Sequence, residues 1–76
     1  MEQLIKNIMS RMLKINEEQI NDETSPHTIS TWDSVKHIEL MTSFEKEFKI
    51  IFDEAEIPTM VNYAIIVATI QAHVEN

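Results

Sequence analysis

The sequence predicts an all-α fold, a small antiparallel four-helix bundle with three long helices, one short helix and a long loop between helices 1 and 2. Apolar residues recur at helical spacing in three separate stretches, which is typical of amphipathic helices. Residues with turn and capping chemistry separate the first two stretches. The chain has 76 residues, so residues 1-76 are expected to form a single domain with one modest core.

The first helix is predicted over residues 2 to 15, and an unusually long loop follows over residues 16 to 33. The apolar stripe of this helix is expected to face the core. Its members are Leu4, Ile5, Ile8, Met9, Met12 and Leu13. A loop of this length is often functional in a compact domain. Ile20, Ile29 and Trp32 are expected to anchor it to the core.

The second helix is predicted from Ser34 to about Lys49. A rotation of about 100° per residue gathers one inward stripe on this helix. Its members are His37, Leu40, Met41, Phe44 and Phe48. Val35 and Ile38 fall outside the stripe, beside Ser34. We therefore expect these two apolar side chains to be partly exposed, as on a surface that contacts a partner.

A short helix is predicted over residues 53 to 59, with Asp53 as its cap and Pro58 limiting its length. Asn62 is expected to cap the last helix. The inward stripe of that helix is expected to consist of Tyr63, Ile66, Val67, Ile70 and Val74. Because the chain contains no glycine, we expect asparagine, aspartate and serine to supply positive φ angles at turns and helix ends.

Composition and charge argue against several classes of protein. Thirteen acidic and six basic residues give a net charge of −7, which disfavours a nucleic-acid-binding protein and favours partners with positive patches. With no cysteine, disulfides and cysteine-ligated zinc are excluded. The start of the chain lacks signal-peptide features, and the longest apolar run, residues 64 to 68, is too short to span a bilayer. We therefore expect a soluble, cytoplasmic protein without membrane or nucleic-acid partners.

Ser34 stands where the long loop turns into the second helix. Unpaired backbone N–H groups and the positive end of the helix dipole favour an anionic group at such a position. This serine is therefore suited to carry a phosphate-linked group. Asp33 and Ser34 are also both good helix caps, so the local run is equally compatible with a purely structural role.

The segment from Asp33 to Phe48 opens with Asp-Ser-Val, reaches Glu-Leu five residues after the serine and ends with Glu-Phe. It resembles the modification site of acyl and peptidyl carrier proteins, and the predicted order of helices and loops is similar to that family over nearly the whole chain. The resemblance implies that Ser34 is esterified with 4′-phosphopantetheine, which a separate phosphopantetheinyl transferase takes from coenzyme A. Asp33 matches the acidic neighbour that caps the helix, orients this transfer, or does both.

In that family the pantetheine thiol holds the cargo as a thioester, and the protein presents it to docked enzymes. The resemblance therefore implies a monomeric acyl carrier that is not itself an enzyme. Its partners are the transferase and the acyl-loading and acyl-transferring enzymes. Trp32 before the motif and His37 after it look more like stand-alone carriers of specialised pathways, such as polyketide, lipid, nonribosomal peptide or surface-polysaccharide assembly.

The chain departs from fatty-acid-type carriers, which commonly have a dense acidic face on the second helix. After Asp33 this helix is formally neutral, because three glutamates are matched by three lysines. Lys36 is expected to select against fatty-acid-synthase partners by charge mismatch. The predicted partner-binding surface consists of Val35, Ile38, Glu39, Glu45, Asp53, Glu54 and Glu56.

Other functions fit the same residues. An aminoacyl or peptidyl carrier uses the same arm, since the loading enzyme chooses the cargo. An unmodified acidic helical adaptor would bind its partner through Val35 and Ile38. A small hydrolase using Ser34 and His37 is disfavoured, because no residue is found to orient the histidine. The histidines lack metal-ligand spacing, so no metal site is predicted.

Overall fold

Three α-helices form the framework of the computed structural model, which describes residues 1–75; residue 76 of the predicted domain lies outside the described residues. The helices are α1 (Glu2–Leu13), α2 (Ser34–Phe48) and α3 (Tyr63–Glu75), and two short 3-10 turns cover Glu17–Gln19 and Ile57–Thr59. The described residues contain no β-strand, so the predicted all-α class is confirmed. None of these helices has the length and apolar character that a membrane crossing requires.

The short helix predicted over residues 53 to 59 is not an α-helix. Residues 54 to 56 form a turn, and only Ile57–Thr59 is helical, as a single 3-10 turn. Pro58 lies in this turn, where its missing N–H and its ring prevent an α-helix from running through residues 53 to 59. The predicted count of four helices is therefore not confirmed.

One hydrophobic core joins the helices and the long loop. Its buried members are Ile5, Ile8, Met9, Leu13, Ile20, Ile29, Trp32, Leu40, Met41, Phe44, Phe52, Met60, Tyr63, Ile66 and Ile70. Met12, Phe48 and Val67 are partly buried against it. The predicted loop anchors are thus confirmed, since all three are among the buried residues.

Two residues of the predicted inward stripes are exposed instead. Leu4 keeps 37% of its surface accessible and Val74 keeps 48%. At the end of α3, His73 takes the place expected for Val74. Its Nε2 atom lies 2.8 Å from Glu56 Oε1, and its ring meets Phe52 edge-on at a centroid distance of 5.4 Å. The inward face of α3 therefore ends with His73, three residues after Ile70, rather than with Val74.

Lysines, rather than asparagine, aspartate or serine, take the positive φ angles at the ends of α1 and α2. Lys14 has a φ of 58° and Lys49 a φ of 56°, so the expectation was wrong at both positions. The left-handed conformation costs about 1–2 kcal/mol in a residue with a Cβ. The next residue offsets this cost, because Ile15 and Ile50 each donate an N–H to a helix carbonyl and pack against the core. As a result α1 ends at Leu13, two residues earlier than predicted.

Hydrogen bonds hold the long loop to α1 and α3. The buried Thr24 hydroxyl accepts the Asn21 N–H at 2.8 Å, and the Thr24 carbonyl accepts the Tyr63 N–H at 3.0 Å. Nearer its end, the Thr31 hydroxyl donates to the Leu13 carbonyl at 2.6 Å. These bonds satisfy backbone groups outside the helices, as a packed loop requires. They also fix the position at which the chain enters α2.

The start of α3 is fixed by a cap and by a phenol. Asn62 Oδ1 accepts the Ile65 N–H at 2.8 Å, which confirms the predicted cap. The Tyr63 hydroxyl donates to Glu2 Oε1 at 3.2 Å. Burial, together with this bond to Glu2, raises the pKa of Tyr63 to about 12. A neutral phenol therefore ties α3 to α1 throughout the physiological pH range.

Candidate functional site

The first residue of α2 is Ser34, and the residue before it caps the helix. Asp33 Oδ1 accepts the Lys36 N–H at 2.8 Å, and Asp33 has the extended backbone of an N-cap, with φ −105° and ψ −174°. Among the described residues, the exposed Ser34 side chain takes part in none of the hydrogen bonds. The capping role therefore belongs to Asp33, and the Ser34 hydroxyl is left accessible.

An apolar groove of about 450 Å³ opens beside Ser34. Its walls come from the long loop, from the start of α2 and from the 3-10 turn with the residues after it. The lining residues are Pro26, Trp32, Asp33, Ser34, His37, Ile38, Ile57, Pro58 and Val61. A largely apolar cleft with a few polar groups at one end is the usual form of a ligand site. We refer to it below as the Ser34 groove.

Four residues that line this groove were not predicted from the sequence: Pro26, Ile57, Pro58 and Val61. The signal that was present is the apolar run from Ile57 to Val61, which is interrupted by a proline and only partly buried. Such a run outside an α-helix has no periodicity that would assign it to a core-facing stripe. This run lines the groove because it lies opposite α2, and that position is determined only by the tertiary structure.

His37 spans the groove floor between two of its walls. The Trp32 indole N–H donates to His37 Nδ1 at 3.1 Å, and His37 Nε2 lies 2.7 Å from the Ile57 carbonyl oxygen. Both ring nitrogens are therefore engaged, and neither contacts the Ser34 hydroxyl. His37 was predicted to pack in the inward stripe of α2, but it is half-buried and lines the groove instead of joining the core. The serine–histidine contact that a nucleophilic hydrolase needs is missing from this arrangement.

Two exposed apolar side chains flank Ser34, as the helical phase predicts. Val35 keeps 67% of its surface accessible and Ile38 keeps 53%. Ile38 also lines the Ser34 groove, whereas Val35 does not. Ser34 is thus bordered by apolar surface both inside the groove and on the adjoining face of α2.

The acidic residues predicted to bind partners are dispersed and partly engaged within the chain. Glu39 pairs with Lys36 at 3.2 Å. Glu45 Oε2 accepts the Phe52 N–H at 2.8 Å, so this carboxylate holds the chain that leaves α2. The remaining members of the predicted set are Asp53, Glu54 and Glu56, none of which lines the Ser34 groove. Of the predicted site residues, only Asp33, Ser34 and Ile38 share that groove.

Glu56 joins the turn before Pro58 to the end of α3. The Asp53 N–H donates to Glu56 Oε1 at 2.9 Å, and His73 Nε2 approaches the same oxygen at 2.8 Å. The cap predicted for Asp53 is therefore reversed, because its backbone is the donor and Glu56 supplies the acceptor. The bond from the Asp53 N–H, followed by the contact with His73, lowers the pKa of Glu56 from its ordinary value of 4.5.

We expect Glu56→Gln to lower the free energy of unfolding at neutral pH by less than about 1 kcal/mol, because the pair is partly exposed. A lowered folded-state pKa stabilises the fold above the unfolded-state value of 4.5, and this contribution is lost as the pH falls through the folded-state value. In urea denaturation, the difference between wild type and Glu56→Gln should therefore shrink between about pH 6 and pH 3. Glu54→Gln is the control, since it removes an equal charge without touching His73. A difference that is constant with pH would contradict the assignment.

The chemistry available at the Ser34 groove is that of an exposed hydroxyl on an apolar rim. Among residues 1–75, no three histidine or carboxylate side chains are grouped so that they would hold a metal ion. The Ser34 hydroxyl is thus an exposed polar group at the edge of an apolar groove. No protein-family model matches the chain, and no curated protein is significantly similar to it in sequence.

Proposed function

We propose that this protein is a discrete acyl carrier protein of the cytoplasm. In this proposal Ser34 bears a 4′-phosphopantetheine arm, whose terminal thiol holds acyl groups as thioesters when it is attached. The protein acts as a monomer and presents these groups to enzymes of a specialised biosynthetic pathway, of polyketide, lipid or surface-polysaccharide type. The turn over residues 54 to 59 then takes the place of the short helix of the carrier bundle.

The observation that carries the proposal is that Asp33 caps α2 while the Ser34 hydroxyl stays accessible. Asp33 satisfies the free Lys36 N–H at the start of α2, so the fold does not need the Ser34 hydroxyl. That hydroxyl is exposed at the N-terminus of a 15-residue helix. A phosphodiester there would be favoured by the helix dipole and by the remaining free N–H groups.

The residues around Ser34 also fit a phosphopantetheine arm. Beyond its phosphate, the arm is a flexible chain with apolar and amide segments. The Ser34 groove is a largely apolar cleft with a volume of about 450 Å³, directly beside the attachment point. Asp33 is the charged side chain on that lining. Its carboxylate is held at the helix start by the cap bond, next to the Ser34 hydroxyl in sequence.

Attachment is a phosphoryl transfer in which the chain supplies one atom. The Ser34 oxygen forms a bond to the phosphorus that carries the pantetheine. The bond from that phosphorus to the bridging oxygen of coenzyme A breaks, the serine proton is lost and adenosine 3′,5′-bisphosphate leaves. His37 is occupied by Trp32 and Ile57, so the proton must be taken by the transferase.

The decisive experiment is an intact-mass measurement of the purified protein after incubation with a broad-specificity phosphopantetheinyl transferase, coenzyme A and magnesium. We expect a gain of one phosphopantetheinyl group, and we expect Ser34→Ala to abolish it completely. Ser30→Ala is the matched control, because Ser30 is an exposed serine of the preceding loop, and this variant should load like the wild type.

Failure to gain mass with several transferases would overturn the carrier proposal. That result would favour an unmodified acidic adaptor, which would use the same exposed Val35 and Ile38 to bind its partner. An aminoacyl or peptidyl carrier would gain the same mass as an acyl carrier. The two are separated by trapping the thioester formed with the loading enzyme and identifying the bound acid.

A further inference from the structure

The hydrogen bonds of His37 define its protonation state. The Ile57 carbonyl oxygen can only accept, so the nitrogen 2.7 Å from it, Nε2, must carry a proton. The Trp32 indole N–H can only donate, so Nδ1, at 3.1 Å, must present its lone pair. The two rings are inclined by 24° with centroids 6.0 Å apart, which fits a hydrogen bond near the ring planes. The geometry therefore requires a neutral imidazole with its proton on Nε2.

These three residues come from three different parts of the chain. Trp32 ends the long loop, His37 lies in the first turns of α2, and Ile57 begins the 3-10 turn. All three also line the Ser34 groove. The side chain of His37 is thus the polar connection between the two walls that face each other across the start of α2.

We infer that His37 is the positioning residue of the Ser34 groove and holds it in shape only while its imidazole is neutral. This inference rests on the proposed function insofar as the groove receives the transferase or the arm. Protonation of Nδ1 would place one N–H against another, because Trp32 offers only a donor there. The bond to Trp32 is then lost, whereas the bond from Nε2 to Ile57 is kept. The Trp32 wall then loses its hydrogen bond to α2, and the groove changes shape beside Ser34.

Few charged groups surround this imidazole. On α2, Asp33 caps the helix and Lys36 pairs with Glu39. Beside Ile57, the carboxylate of Glu56 is engaged with His73. Apart from Asp33, none of the groove-lining residues from the long loop or from residues 57 to 61 is charged.

Trp32 is the single tryptophan of the chain, so the tryptophan fluorescence reports on the surroundings of this one side chain. In the unmodified wild type, we expect the emission to change once the pH is low enough to charge the His37 ring. The helical circular dichroism should stay constant across this change. Nitrogen-15 chemical shifts of the His37 ring should show the Nε2-protonated form at the upper pH.

Two substitutions of His37 separate positioning from simple packing. His37→Asn keeps an acceptor near the Nδ1 position but has no titratable group, so its Trp32 emission should resemble the neutral wild type at every pH. His37→Phe keeps a ring but no acceptor, so its emission should resemble the acidic wild type at every pH. His27→Gln is the control, because His27 is exposed and lies outside the groove, and it should keep the wild-type pH response.

Loading of Ser34 gives the functional readout. For transfer of phosphopantetheine to the protein, we expect kcat/KM to fall about fivefold in His37→Phe, the effect of one lost hydrogen bond, and to recover in His37→Asn. An emission that does not change with pH in the wild type, or that changes equally in His37→Asn, would overturn the inference. So would loading of His37→Phe at the wild-type rate. If Ser34 never loads, the proposed function fails, but the fluorescence and nitrogen-15 measurements still decide the role of His37.

Discussion

Replacement of Phe44 by alanine is expected to lower the free energy of unfolding by about 3–5 kcal/mol. Phe44 is fully buried in the middle of α2, where it belongs to the core shared with the other helices and the loop. Removal of its ring takes away apolar contacts and leaves a cavity that rigid helices fill only in part. A domain of this size has a total stability of about 4–11 kcal/mol, so the variant should be close to unfolding at room temperature.

Urea denaturation followed by circular dichroism measures this loss. Val35→Ala is the matched control, because Val35 is an apolar residue of the same helix but is 67% exposed. Its stability should stay within about 0.5 kcal/mol of the wild type. Equal losses in the two variants would mean that α2 does not present Phe44 to the core and Val35 to solvent.

Replacement of Ile38 by glutamate is expected to lower kcat/KM for loading of Ser34 at least about tenfold, which corresponds to about 1.4 kcal/mol of lost binding. Ile38 is 53% exposed, and it lies on the surface that any enzyme acting at Ser34 must approach. A charge at this position leaves a desolvated carboxylate in the contact, whereas the free protein keeps it in water. Stability should therefore change by less than about 0.5 kcal/mol.

The control for this prediction is Ile51→Glu. Ile51 is 82% exposed and lies outside the Ser34 groove, so the substitution adds the same charge to another exposed isoleucine of the chain. We expect its loading kinetics to match the wild type. Equal effects of the two substitutions would show that net charge, rather than apolar contact at Ile38, governs recognition.

Sequence periodicity predicts the helices well because helical phase is a local property. The spacing of apolar residues places Leu40 and Phe44 inward and Val35 and Ile38 outward, and all four lie as expected. The same reasoning fails at the ends of elements. At Lys14 and Lys49 the left-handed angle is compensated by the packing of the next isoleucine, which depends on neighbours far along the chain.

In the segment before α3, the prediction of a short helix from the sequence was wrong for a different reason. Its acidic residues and its proline resemble a capped helix start, yet Glu56 bonds to His73, a residue 17 positions later. At the end of α3 this contact holds His73 beside Phe52, whereas Val74 is exposed. Pro58 prevents an α-helix here, and the contact with a distant segment fixes the turn that forms instead.

Some features of the candidate site could likewise be predicted from the sequence, whereas others required the folded structure. Helical phase and capping chemistry, both readable along the chain, were enough to place Ser34 at the start of α2 between Asp33 and two exposed apolar residues. The Ser34 groove and the two hydrogen bonds of His37 required the folded structure. Their partners, Pro26, Trp32 and Ile57, are brought together only when the loop and the 3-10 turn pack on α2, because nothing in local sequence specifies how separate segments meet.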